Sequence, residues 1–205
     1  GETSAWSKPA SFGVGFLSET DWDENAEFIA VDQPGEGENM HVSPLFRKSF
    51  DYTPGKERVL LHVNSLGYHD AYINGRPVST SVLNPAVSQH PKRSIINTYD
   101  VTDLLKKGEN ELVIWVGIGW YLKRDPGVVA GGPYVRAQLE KTGNGSYEVL
   151  AKTDSTWKAA DIGRYYFGRN WTNGEVTDIR KSVKDFAPES LESVQWQPVV
   201  IGDIP

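Results

Sequence analysis

The sequence contains no cysteine and a single methionine among 205 residues. A disulfide scaffold, a thiolate metal site and a cysteine nucleophile are therefore excluded. Long apolar runs are also missing. The longest, Leu112 to Leu122, is interrupted by Gly117 and Gly119 and falls well short of the ~20 residues that span a bilayer as a helix. Positive charge is scarce: 21 basic residues stand against 27 acidic ones, for a net charge of −6. Pro91-Lys92-Arg93 and Arg180-Lys181 are isolated basic spots. Nucleic-acid binding driven by backbone phosphates is thereby excluded as a partner class.

Further absences narrow the chemistry. His41, His62, His69 and His90 are scattered, without the i, i+4 or clustered spacing of a zinc site. There is no EF-hand loop, no Gly-x-Ser-x-Gly elbow and no phosphate-cradling glycine loop. The expectation is a chain without cofactor. Calcium held by loop carbonyls and isolated Asp or Asn leaves no sequence signature, so that option stays open. No segment of helical period runs long enough to predict a substantial helix. The chain starts at Gly1 without an initiating Met or a recognisable signal peptide, which points to a processed or partial chain.

What is present is β-rich and turn-rich. Hydrophobic residues make up 39%, aromatic residues 11% and charged residues 23%, with 20 Gly and 12 Pro, a folded rather than a disordered profile. Pro44 to Tyr52 and Val59 to Val63 read as strands. Asn74-Gly75, between Ala71-Tyr72-Ile73 and Pro77-Val78, reads as a tight hairpin turn, because both residues tolerate φ > 0. Asp100 to Gly108 reads as one short helical turn with Asp100 or Thr102 at its start. Leu112 to Val116 is a buried strand. Val135, Ala137 and Leu139 alternate with Arg136, Gln138 and Glu140, which predicts one wet sheet face. Asn144-Gly145 forms another hairpin turn, and strands recur near 166–180 and 196–201. Short strands separated by turns predict an all-β, two-sheet β-sandwich of jelly-roll type with one or two short helical turns. The whole of 1–205 reads as one domain, with 1–40 as an extended N-terminal lead-in.

The serial order of these segments carries a resemblance. Gly67-Tyr68-His69-Asp70-Ala71-Tyr72-Ile73-Asn74-Gly75-Arg76 is followed by Leu83-Asn84-Pro85, Tyr99-Asp100-Val101-Thr102 and Gly117-Ile118-Gly119-Trp120-Tyr121. Gly15-Phe16-Leu17 with Asp21-Trp22 precedes them, and Asp154-Ser155-Thr156-Trp157-Lys158, Gly174-Glu175-Val176-Thr177-Asp178-Ile179-Arg180 and Trp196-Gln197-Pro198 follow. This order resembles the N-terminal β-sandwich domain of bacterial alpha-L-rhamnosidases, glycoside hydrolase family 78. The Gly-Glu-x-x-Asp-Ala-Arg run of that family has Ile179 in its alanine position here. The resemblance implies a galactose-binding-like jelly roll and a parent enzyme whose catalytic acid and base lie in a separate, C-terminal helical barrel. It implies as partners a rhamnose-containing carbohydrate and that catalytic domain, and a periplasmic or secreted location.

Candidate site residues follow on both grounds. Glycoside hydrolysis usually uses two carboxyl groups about 5–9.5 Å apart. Glu175 and Asp178 are three apart in a strand-like run, an odd offset that sends them to opposite faces, and Asp178 with Arg180 reads as a structural ion pair. No catalytic residue is assigned. The rings of Tyr165 and Tyr166 suit stacking on a sugar; Trp120, Tyr121, Trp171 and Asn173 adjoin turn-rich segments and suit stacking on, and hydrogen bonding to, a sugar. With Glu175, Asp178 and Arg180 these last four form the candidate set for carbohydrate binding or a domain interface. Two other readings stay open: an independent carbohydrate-binding module, and a sandwich serving only as an interaction domain.

Overall fold

In a computed structural model, the described residues are 3–9, 15–32, 40–90, 92–119, 121, 132–143, 145–167, 174–202 and 204. They form strands β1 (Phe28–Ala30), β2 (Met40–Val42), β3 (Leu45–Tyr52), β4 (Arg58–Leu66), β5 (Tyr68–Ile73), β6 (Arg76–Pro77), β7 (Ile96–Asp100), β8 (Gly108–Gly117), β9 (Tyr134–Gly143), β10 (Ser146–Lys152), β11 (Lys158–Ala160), β12 (Arg164–Phe167), β13 (Gly174–Thr177), β14 (Gln197–Pro198) and β15 (Val200–Gly202). Three 3-10 turns, Glu19–Asp21, Thr102–Leu104 and Pro188–Leu191, are the only helical pieces among the described residues. The sheet we call A has the order β15-β1-β9-β4-β7, with β10 also on β9. Sheet C has the order β14-β11-β3-β8-β5-β6, and a small sheet B has the order β13-β12-β2. The paired strands are antiparallel. The fold is the predicted all-β sandwich, with sheet B added at its end.

Period-2 alternation places the core. Val59, Leu61 and Val63 of β4 and Val135, Ala137 and Leu139 of β9 face Phe46 and Phe50 of β3, Leu112, Ile114 and Val116 of β8, and Ala71 and Ile73 of β5. Trp157 is fully buried among them and donates its indole Nε1–H to the Lys152 carbonyl at 2.6 Å. Each such side chain contributes about 1.5–3 kcal/mol on leaving water.

The predicted turns sit where turn chemistry puts them. Asn74 (φ 51°) and Gly75 (φ 78°) join Ile73 to Arg76 in a two-residue hairpin. The Asn74 side chain donates to Asn110 Oδ1 at 2.8 Å and accepts from the Glu111 amide at 3.1 Å, tying the hairpin to β8. The helical turn expected within 100–108 is the single 3-10 turn Thr102–Leu104, organised by Thr102 Oγ1 donating to Asp100 Oδ1 at 2.6 Å. Gly145 (φ 79°) lies between β9 and β10, while Asn144 lies outside the described residues.

One expectation fails. The face of β9 that carries Arg136, Gln138 and Glu140 is not wet: Gln138 is fully buried and Glu140 is 7% exposed. Part of the lead-in, residues 15–27, lies across it. Phe16 stacks on His62 of β4 with centroids 3.9 Å apart, Arg136 sits over the Trp22 ring at 4.5 Å, and the Asp23 amide donates to Gln138 Oε1 at 2.7 Å. The outer face of sheet C is covered as well. Phe186, Leu191, Val194 and Trp196 pack on Leu45, Val113, Trp115 and Ala160. Strand alternation predicts which side chains share a face, but not whether another segment covers that face.

Candidate functional site

With the central strands of both large outer faces covered, the edge strand β13 of sheet B is left open to solvent. All four residues of β13 are exposed. Antiparallel register sets Tyr166 opposite both Glu175 and His41. Cross-strand partners stand on one face at the ~4.7–4.9 Å strand spacing, so His41, Tyr166 and Glu175 form one row across three strands. The His41 and Tyr166 rings are 6.5 Å apart. Two residues along the same face, Arg164 donates to Thr177 Oγ1 at 2.8 Å. An exposed carboxylate, a phenol and an imidazole in one row suit contact with a hydroxyl-rich ligand. Only the strand pairing assembles this row, because its members lie in three separate stretches of chain.

The turn after β13 is built on ions. Arg180 donates from Nε to Asp178 Oδ1 at 2.9 Å and from Nη2 to Oδ2 at 2.7 Å. These bonds hold the Asp178 carboxyl at about 2, below the usual carboxylate range. Asp178 thus stands as the predicted ion pair with Arg180. It lies just past the end of β13, so the opposite-face argument does not apply to it; the fork with Arg180 is what occupies its oxygens. Behind it, Asp161 Oδ2 accepts from Tyr165 OH and from Lys181 Nζ, both at 2.7 Å. Burial pushes Asp161 up, and these bonds outweigh it, leaving its carboxyl below the ordinary value. Gly163 (φ 73°) lets the chain pass here: a Cβ at that position would stand 2.3 Å from the Asp178 carbonyl oxygen.

Of the remaining sequence candidates, Tyr121 is 3% exposed, packed with Ala30, Leu66, Ile118 and Tyr134, so its ring offers no open face to a ligand. Trp120, Trp171 and Asn173 lie outside the described residues, as do the turn-rich stretches 33–39 and 126–131. Among the described residues no group of three or more His, Asp or Glu is placed to hold a metal ion. No helix there is long and apolar enough to cross a membrane. Tyr166 is among the aromatics that the sequence offers for stacking on a sugar, whereas His41 belongs to no local motif, and their alignment with Glu175 leaves no local signal.

The strand order and burial define an all-β sandwich domain of antiparallel sheets. The profile of the alpha-L-rhamnosidase N-terminal domain matches residues 56–205, and the chain belongs to that family. It is 28% identical over 209 residues to an alpha-L-rhamnosidase of Formosa agariphila, covering 97% of this chain and 22% of that protein. It is similar in structure to the alpha-L-rhamnosidase of Aspergillus terreus (TM-score 0.74, 30% identity, 93% of this chain and 22% of that one). The alpha-L-rhamnosidase of Streptomyces avermitilis, crystallised with L-rhamnose, is also similar (TM-score 0.64, 28% identity, 80% of this chain and 16% of that one). The chain thus spans about a fifth of the length of the relatives it matches.

Proposed function

We propose that this chain is a non-catalytic domain of an alpha-L-rhamnosidase-like glycoside hydrolase, which supports the catalytic domain and contacts rhamnose-containing carbohydrate. The observation that carries the non-catalytic reading is the state of its two tempting carboxylates. Asp178 is held on both oxygens by Arg180, while Glu175 stands exposed on β13 beside a phenol and an imidazole. Retaining or inverting hydrolysis needs two carboxyl groups free to act on opposite sides of one bond, and an Arg-bound carboxylate is a poor acid or base. The Glu175 row and the exposed Phe167, Val176 and Ile179 nearby give sheet B both polar and apolar contact groups, the mixture found at domain interfaces and sugar subsites. The test is turnover of a chromogenic aryl rhamnoside by the purified chain. No turnover is expected; turnover abolished by Glu175→Gln or Asp178→Asn would overturn the reading.

A further inference from the structure

The two outer faces of the sandwich are covered differently. Over sheet C the cover is mainly apolar, with Leu191 fully buried against Leu45, Val113 and Ala160, and with one ion pair, Arg47–Glu111 at 3.4 Å, beside Trp196. Over sheet A it is polar. The floor carries Asn64 and His62 of β4, Arg136, Gln138 and Glu140 of β9, and Thr98 of β7, aligned by register. Several floor atoms are buried yet lack hydrogen-bond partners among the described residues: His62 Nε2, Asn64 Oδ1 and Arg136 Nε. His62 Nε2 lies 3.4 Å from Glu140 Oε1, within ion-pair distance. Buried polar atoms without partners are costly; the sheet A floor gathers several of them, where the outer face of sheet C has Glu111 Oε1 alone among the described residues.

The cover is also lightly attached. Among the described residues no backbone hydrogen bond joins 15–22 to the sheet; the bonds of that stretch run within it, Asp21 N to Ser18 O and Trp22 N to Glu19 O. Its hold comes from the Phe16 stack, the buried Trp22 ring under Arg136, the ion pairs Arg136–Glu19 and Lys152–Asp23, and the Asp23 amide on Gln138; only its C-terminal end is fixed through the backbone, by the Glu27 amide donating to the Thr153 carbonyl at 2.8 Å. A segment held by side chains and bonded to the sheet through its backbone at one end opens locally at lower free-energy cost than the strands beneath it.

We propose that residues 15–27 are a releasable strap, and that the floor beneath is a second saccharide groove which the strap occludes. The proposal rests on the carbohydrate-contact part of the function above. The floor supplies two amides, a carboxylate, a guanidinium and an imidazole, the donor and acceptor set that grips vicinal hydroxyls. Phe16, nearly parallel to His62 at 19°, fills the slab in which the apolar face of a pyranose would lie on the imidazole. The strap acts as a built-in competitor.

The absence of cysteine allows a clean staple. A Cβ built on Gly15 lies 4.0 Å from Thr98 Cβ, inside the ~3.5–4.5 Å range of a disulfide. The double variant Gly15→Cys/Thr98→Cys is compared with itself, oxidised and reduced, because Thr98→Cys removes a His62 partner in both states. L-rhamnose is the probe, read by NMR shifts and amide exchange. Oxidation should abolish sugar-induced shifts at His62 and Gln138, and reduction should restore them. Phe16→Ala, which leaves the floor intact, should speed amide exchange in 15–27 by roughly tenfold or more and enlarge those shifts. Sugar-induced shifts confined to loops or sheet B, equal in both redox states, would overturn the groove while leaving carbohydrate contact standing. No shift in any form, Phe16→Ala included, would overturn both. Unchanged exchange of 15–27 in Phe16→Ala would overturn the strap.

Discussion

Gly75 is where one substitution separates two physical costs. At φ 78° any side chain enters the left-handed region, which costs about 1–2 kcal/mol for an L-residue. At this position a Cβ would also stand 2.7 Å from Ala187 Cα and 3.0 Å from its nitrogen. Ala187 immediately precedes the turn Pro188–Leu191 that helps cover sheet C, and its neighbour Phe186 packs on Tyr72 and Trp115. Backbone cannot step aside as a flexible side chain does, so an overpacking cost of about 1–3 kcal/mol adds to the first. Gly145 is the control: it has φ 79° with nothing within 4 Å of its would-be Cβ, so Gly145→Ala carries the conformational cost alone. The entropy that Ala removes from the unfolded chain is common to both and cancels. With a urea dependence of about 2–3 kcal/mol per molar, Gly75→Ala should unfold roughly 0.5–1 M earlier than Gly145→Ala. Amide exchange over 185–191 should rise in Gly75→Ala only. Equal urea midpoints for the two variants would refute the claim that the hairpin and the C-terminal cover are in hard contact.

Two further predictions probe buried polar groups. His69 is buried, bonded to Ser65 Oγ at 2.7 Å and to Tyr99 OH at 2.8 Å, and burial lowers it to about 4. The unfolded chain therefore binds the extra proton between about pH 4 and 6.5, so stability is full above that window and falls as pH drops through it, by up to roughly 3 kcal/mol; His69→Gln should flatten this part of the urea midpoint against pH, and an unchanged profile would count against it. Gln138→Ala should lose about 2–4 kcal/mol, because it opens a gap and strands both the Asp23 amide and Glu140; a change within the ~0.5 kcal/mol typical of a solvated position would return β9 to the wet-face reading.

The sequence by itself determined what is local. Asn74-Gly75 specifies its hairpin because two adjacent residues accept φ > 0. The alternation of Val135, Ala137 and Leu139 specifies an inward face because the strand period is two. The serial order of such segments was enough to resemble the rhamnosidase domain. The Asp178–Arg180 pair was legible for the same reason, with only one residue between them. Tertiary structure decided what depends on distant segments meeting. Gln138 and Glu140 read as solvent-facing, and they are buried because residues 15–27 return across more than a hundred positions to cover them. His41, Tyr166 and Glu175 become a row only through the pairing of β2, β12 and β13. Tyr121, next to a turn, reads as core, domain interface or sugar contact alike, and only its packing with Tyr134 and Leu66 makes it core. A polar side chain's exposure is set by whichever segment finally lies against it, and local patterning carries no record of that segment.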